Sequence, residues 1–134
     1  MRHIKSDRNS SGERFATLAL NRIERRAARN GVLEASMGFA VEDRKKQLGM
    51  SREDAKALHG RLRQFEESFE NTEADGEITL SLDEFRTVRN CLELTLKELG
   101  EKEYLYRSGQ KYQVAENVLA EFSRILAEIE TGKF

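Results

Sequence analysis

Proline and tryptophan are absent from this chain of 134 residues, cysteine occurs once and histidine only twice. Each scarcity excludes something. A lone Cys91 cannot form a disulfide within the chain, so a stapled scaffold is ruled out and a reducing compartment fits. Two histidines, His3 and His59, far apart in sequence and with no cysteine beside them, leave no metal-ligand spacing and no paired nucleophile and base. No apolar run approaches the roughly 18–20 residues needed to cross a bilayer. The polar first eleven residues lack the apolar centre of a secretory signal, which makes the cytoplasm the expected location. Neither charge sign dominates: 23 Lys/Arg against 24 Asp/Glu give a net charge of −1.

What is abundant is charge, at 35% of residues. With 38% hydrophobic residues, this composition suits a mainly helical protein with ion-paired surfaces. The near-zero sum hides an asymmetry. Residues 1–67 carry 15 basic and 10 acidic side chains, and residues 68–134 carry 8 and 14. The expected architecture is one mainly α domain over 1–134, made of a basic half (11–70) and an acidic half (77–131), with residues 1–10 a flexible tail. Its bundle would hold four longer helices, short helices, and at most a two-stranded ribbon.

The elements follow from caps and periodicity. Ser10 with Glu13 reads as a capping box opening a helix near Ser11, which Asn30-Gly31 closes. Arg14, Arg22, Arg25 and Arg29 would share an arc of about 80° on that helix. Residues 32–41 are ambiguous, and a short helix is expected from about Val41 to Leu48. Ser51 with Asp54 opens a helix to about Glu70, whose stripe is Ala55, Leu58, Leu62, Phe65 and Phe69. Gly60 lies inside it, where a small residue would permit close helix packing. Ile78, Leu80 and Leu82 alternate with polar residues as a strand over 77–82. Its expected partner is 103–107, or the same strand of a second chain. Ser81 with Glu84 caps a helix from about Leu82 to Leu99, stopped by Gly100, and Tyr112 to Glu130 form the last helix.

Five constellations bear on function. Residues 46–62, Lys46-Gln47-Leu48-Gly49-Met50-Ser51 through Leu62, resemble the turn and recognition helix of bacterial DNA-binding regulators, with Leu48, Gly49, Ala55 and Leu58 at the motif's apolar and glycine positions. That resemblance implies nucleic-acid contacts by Arg52, Lys56, Arg61 and Arg63. It departs from the pattern at Lys45 and at Glu53 and Asp54, which phosphates would repel. The arginine face of the first helix suits an acidic partner or phosphates. Asn71 to Ile78 look like the start of a calcium loop, but the twelfth position, where a bidentate Glu is needed, is Leu82. No cofactor or metal is expected. His59 reads as a half-buried structural residue and Cys91 as a small core or boundary residue, so no catalytic set emerges. Finally, Leu94, Tyr104 and Tyr106 suit a protein contact. Residues 78–122 also resemble small uncharacterised bacterial helical proteins through Arg89-Asn90 and the turn Tyr106-Arg107-Ser108-Gly109.

The function expected is a non-enzymatic protein–protein interaction module of bacterial or phage type, akin to immunity proteins, inhibitors or adaptors. Arg14, Arg22, Arg25, Arg29, Leu94, Tyr104 and Tyr106 would meet a protein partner, as monomer or homodimer, with no membrane involved. The alternative is a nucleic-acid-binding regulator built on residues 44–63.

Overall fold

The structure, a computed structural model, describes residues 1–38 and 49–132. The short helix expected over Val41 to Leu48 lies outside the described residues. Elements run β1 (Arg2–Arg8), β2 (Arg14–Leu20), α1 (Arg22–Leu33), a π-helical turn (Glu34–Gly38), α2 (Arg52–Ser68), β3 (Gly76–Ser81), α3 (Leu82–Ser108) and α4 (Tyr112–Glu130). The fold is mainly helical, but its sheet has three antiparallel strands in the order β1-β2-β3 rather than two. Among the described residues no helix is long and apolar enough to cross a membrane.

The largest correction concerns the N-terminus. Residues 1–10 are not a flexible tail, since Arg2–Arg8 form an edge strand, and 14–20 are a strand rather than a helix. Ser10 and Glu13 belong to a hairpin turn instead of a cap. The Asn9 side chain accepts from the Ser11 and Glu13 amides at 3.0 and 2.9 Å, and Gly12 takes φ +82°. The helical reading of β2 failed because this strand sits centrally and Ala16 to Leu20 are all buried. A strand buried on both faces shows no two-residue alternation. Its Ala16, Leu18 and Leu20 join Ile78 and Leu80 of β3 in the core. Thr17 bonds Thr79 across the strands at 2.8 Å, Oγ1 to Oγ1.

Helix α1 starts late, at the capping box Asn21/Glu24, and does not stop at Gly31. That glycine is helical, and its role is proximity. A Cβ there would lie 2.9 Å from the Leu92 Cα of α3, and the Thr95 hydroxyl donates to its carbonyl at 3.1 Å. Gly60, expected to permit close packing, has open space where a Cβ would stand.

The caps of α2 and α3 are those the sequence predicts. Ser51 accepts from the Asp54 amide, and Ser81 and Glu84 form the reciprocal pair. Gly100 breaks α3 with φ +73°, also as expected, but the chain then resumes as helix to Ser108. Residues 103–107 are therefore helical and do not pair with 77–82, whose partner is β2. Tyr104 is wholly buried, its hydroxyl donating to Gln110 Oε1 at 2.8 Å while Gln110 Nε2 donates to the Ile23 carbonyl. Burial pushes the Tyr104 hydroxyl up to about 12. The α4 face Val118, Phe122, Ile125, Leu126 and Ile129 closes the core, with Phe122 edge-on to Phe85 at 5.6 Å.

Candidate functional site

The four arginines expected on one helix face do not share one. Arg14 lies on β2 and donates to the Ile129 carbonyl at 2.7 Å. Arg22 is exposed and pairs with Glu73 at 3.1 Å. Arg29 pairs with Glu66 of α2 at 3.0 Å. Arg25 is only 2% exposed and organises the turn after α2 from within. Its Nη1 donates to the Leu20 and Ala74 carbonyls at 2.9 and 3.0 Å, and its Nη2 to those of Phe69 and Thr72 at 3.4 and 3.3 Å. The guanidinium also lies 5.1 Å from the Phe69 ring centroid. Carbonyls of the calcium-like turn are thus turned onto a side-chain cation, which leaves them unavailable to an ion. Among the described residues no cluster of His, Cys, Asp or Glu has metal-holding geometry.

The residues of the regulator reading are partly committed elsewhere. Arg61 pairs with Glu84 and donates to the Thr79 carbonyl at 3.0 Å. Arg63 is exposed, 3.8 Å from Glu67. Arg52 and Lys56 are exposed, beside equally exposed Glu53 and Asp54. The surface of α2 therefore presents both signs together, which weakens attraction to phosphates.

His59 of α2 is buried, and its Nε2 has no hydrogen-bond partner among the described residues. Desolvation, then Arg29 and Arg63, hold its pKa below 6.5 against the opposing pull of Glu66. A folded-state pKa below the unfolded one means that the unfolded chain takes up the proton first. Stability present above pH 6.5 is then lost as pH falls toward the folded pKa. Urea midpoints measured from pH 8 to 5 should fall for the wild type over this window, and should fall less for His59→Gln.

Of Leu94, Tyr104 and Tyr106 in the protein-contact reading, only Tyr106 is fully at the surface, where its neighbour Leu105, not singled out by the sequence, joins it. Tyr106 is 85% exposed and Leu105 48%, both on the helical segment after the Gly100 break. Leu94, half-buried, lines a groove with Arg89, Asn90, Glu93, Lys97 and Glu98. A second groove shares Arg89, Glu93 and Lys97 with it and runs between α3 and α4, about 510 Å³ in volume, over Leu96, Tyr112, Leu119 and Ala120. Tyr104, by contrast, is structural. Sequence reasoning missed Leu119 as part of a groove because it lies beside the buried stripe of α4, where periodicity alone assigns it to the core. The arrangement offers an apolar floor between charged rims. No family model, curated protein or solved structure matches this chain.

Proposed function

We propose that the protein is a non-enzymatic protein–protein interaction module that blocks or bridges a macromolecular partner, in the manner of an immunity protein, inhibitor or adaptor. The observation that carries this reading is the joined pair of grooves on α3 and α4, with the exposed Leu105 and Tyr106 beyond the Gly100 break of the same helix. Large apolar and aromatic side chains at a surface cost solvation unless a partner covers them, and tyrosine is a favoured anchor residue. Arg22 and the rims of the groove would supply orientation rather than affinity.

The test is affinity capture with nuclease treatment and two salt concentrations. A protein partner should survive both. Capture should fall by roughly tenfold or more in Tyr106→Ala or Leu94→Glu, since truncating a central anchor costs about 2 kcal/mol, while the thermal midpoint of each variant stays near that of the wild type. Equal capture by both variants would defeat the reading. The second reading, a nucleic-acid-binding regulator, rests on Arg52 and Lys56. It predicts nucleic acid in the capture, lost on adding salt, and absent for the triple substitution Arg52→Ala, Lys56→Ala and Arg61→Ala.

A further inference from the structure

The sheet has two edges, and they are treated differently. At the hairpin the Asn9 amide donates to the Glu13 carbonyl at 3.0 Å. Pairs facing each other along β1 and β2 include Asp7 with Phe15 and Lys5 with Thr17. Antiparallel ladders alternate bonded and non-bonded pairs, so these two pairs are the bonded ones and the main-chain groups of Ser6 and Arg8 point away from β2. The same alternation carried across β2 turns Thr79 and Ser81 of β3 outward. Side chains close that far edge: Arg61 donates to the Thr79 carbonyl, and Glu84 accepts from the Ser81 amide at 2.9 Å. A second chain cannot add to β3 without displacing them. On β1, no hydrogen bond among the described residues reaches the main-chain N–H or C=O of Ser6 or Arg8.

Among the described residues this edge is open, and an open edge invites another strand. A symmetric dimer must pair its copies antiparallel about a two-fold axis, and outward residues must meet outward residues. Ser6 and Arg8 allow three such registers, and charge separates them. Arg8 opposite Arg8 sets two cations face to face. Ser6 opposite Arg8 sets Asp7 against Asp7. Ser6 opposite Ser6 sets Lys5 of each copy against Asp7 of the other, giving two complementary cross-strand pairs where the others give repulsion. That last register also brings Ile4, 38% exposed on the edge strand, opposite Arg8 of the second copy, whose aliphatic stem can cover it. The register shift between His3 and Lys5 ends the regular ladder there, so the pairing is short and the association weak.

We propose that the β1 edge pairs with β1 of a second copy, centred on Ser6, to form one continuous sheet. This interface is separate from the α3–α4 grooves and does not depend on them.

Sedimentation velocity of the full chain, from about 1 to 500 µM because so small an interface binds weakly, tests it. The wild type should shift reversibly from monomer toward dimer. Ser6→Pro removes an outward N–H and no bond to β2, a place where an edge strand tolerates proline, and should weaken dimerisation by about tenfold or more. Ser6→Ala keeps that N–H and should dimerise as the wild type does. Lys5 and Asp7 already lie 3.5 Å apart within each strand, so the readout is the dimer and not the fold. Lys5→Glu alone and Asp7→Lys alone should each weaken dimerisation and the two together should restore it, since of the three registers only the Ser6-centred one also sets these positions opposite one another between copies. Circular dichroism checks that each variant is folded, and the charge pair keeps the test valid if the proline variant is not. A monomer at every concentration, a dimer unaffected by a folded Ser6→Pro, or a double charge variant no better than either single one would overturn the proposal.

Discussion

Replacing Arg25 with methionine is expected to destabilise the protein more than any other single change considered. The substitution keeps much of the side-chain volume and removes the donors that serve four carbonyls, those of Leu20, Phe69, Thr72 and Ala74. Buried acceptors left without partners cost about 1–3 kcal/mol apiece. Two of the four bonds are long, at 3.3 and 3.4 Å, and loop carbonyls can relax toward water. A net loss of about 3 kcal/mol follows, on the order of a 10 °C fall in thermal midpoint for a domain of this size. Hydrogen exchange should localise the damage, with amides of residues 69–76 and the start of β3 losing protection before those of α4. Arg25→Lys should recover only part of the loss, because an ammonium has three donors and no planar face for Phe69. If Arg25→Met melts within about 2 °C of the wild type, an effect under 1 kcal/mol, the turn does not depend on this cation.

The second large effect is a pair of identical substitutions with opposite signs. Gly31→Ala puts a Cβ 2.9 Å from the Leu92 Cα and 3.1 Å from its backbone nitrogen. The obstacle is main chain, which has no rotamer to change, so α1 and α3 must move apart and the Thr95 bond to the Gly31 carbonyl must stretch. Overpacking of this kind costs about 1–3 kcal/mol, and a direct clash with backbone belongs at the upper end. Helix propensity returns about 1 kcal/mol, leaving a net destabilisation of about 2 kcal/mol. Gly60→Ala meets nothing within 4 Å. It keeps the propensity gain and should stabilise by up to about 1 kcal/mol. Urea denaturation of the two variants beside the wild type decides the matter, and a shift of the same sign in both would contradict the helix contact at Gly31.

These two glycines show where sequence reading reaches its limit. Both sit in helices, and nothing local distinguishes them. The one expected to allow close approach faces open space, and the one expected to end a helix lies where α1 packs against the backbone of α3. Proximity belongs to two segments about sixty residues apart in the chain, so neither segment carries the signal alone. The same holds for the candidate site. The exposure of Tyr106 and the place of Leu94 on a groove wall agree with their polar sequence surroundings. Tyr104 and Arg25 have similar surroundings, yet both are buried, because Gln110 and the carbonyls after α2 receive them there.

What the sequence by itself determined is the local punctuation: the caps at Ser51 and Ser81, the break at Gly100, a strand over 77–82 that the structure shifts by one residue to Gly76–Ser81, the extent of α4, and the mainly helical class. Caps, glycine breaks and amphipathic stripes act within a few residues, so they are written where they operate. The tertiary structure alone decided that 14–20 is a strand and that 103–107 is not. A central strand loses its alternation when both faces are covered, and a helix of marginal length takes its stability from what it packs against. It also decided which charges are available. An arginine's sequence position does not say whether its guanidinium faces water, a carboxylate or a ring of carbonyls, since its long stem can carry the charge either way.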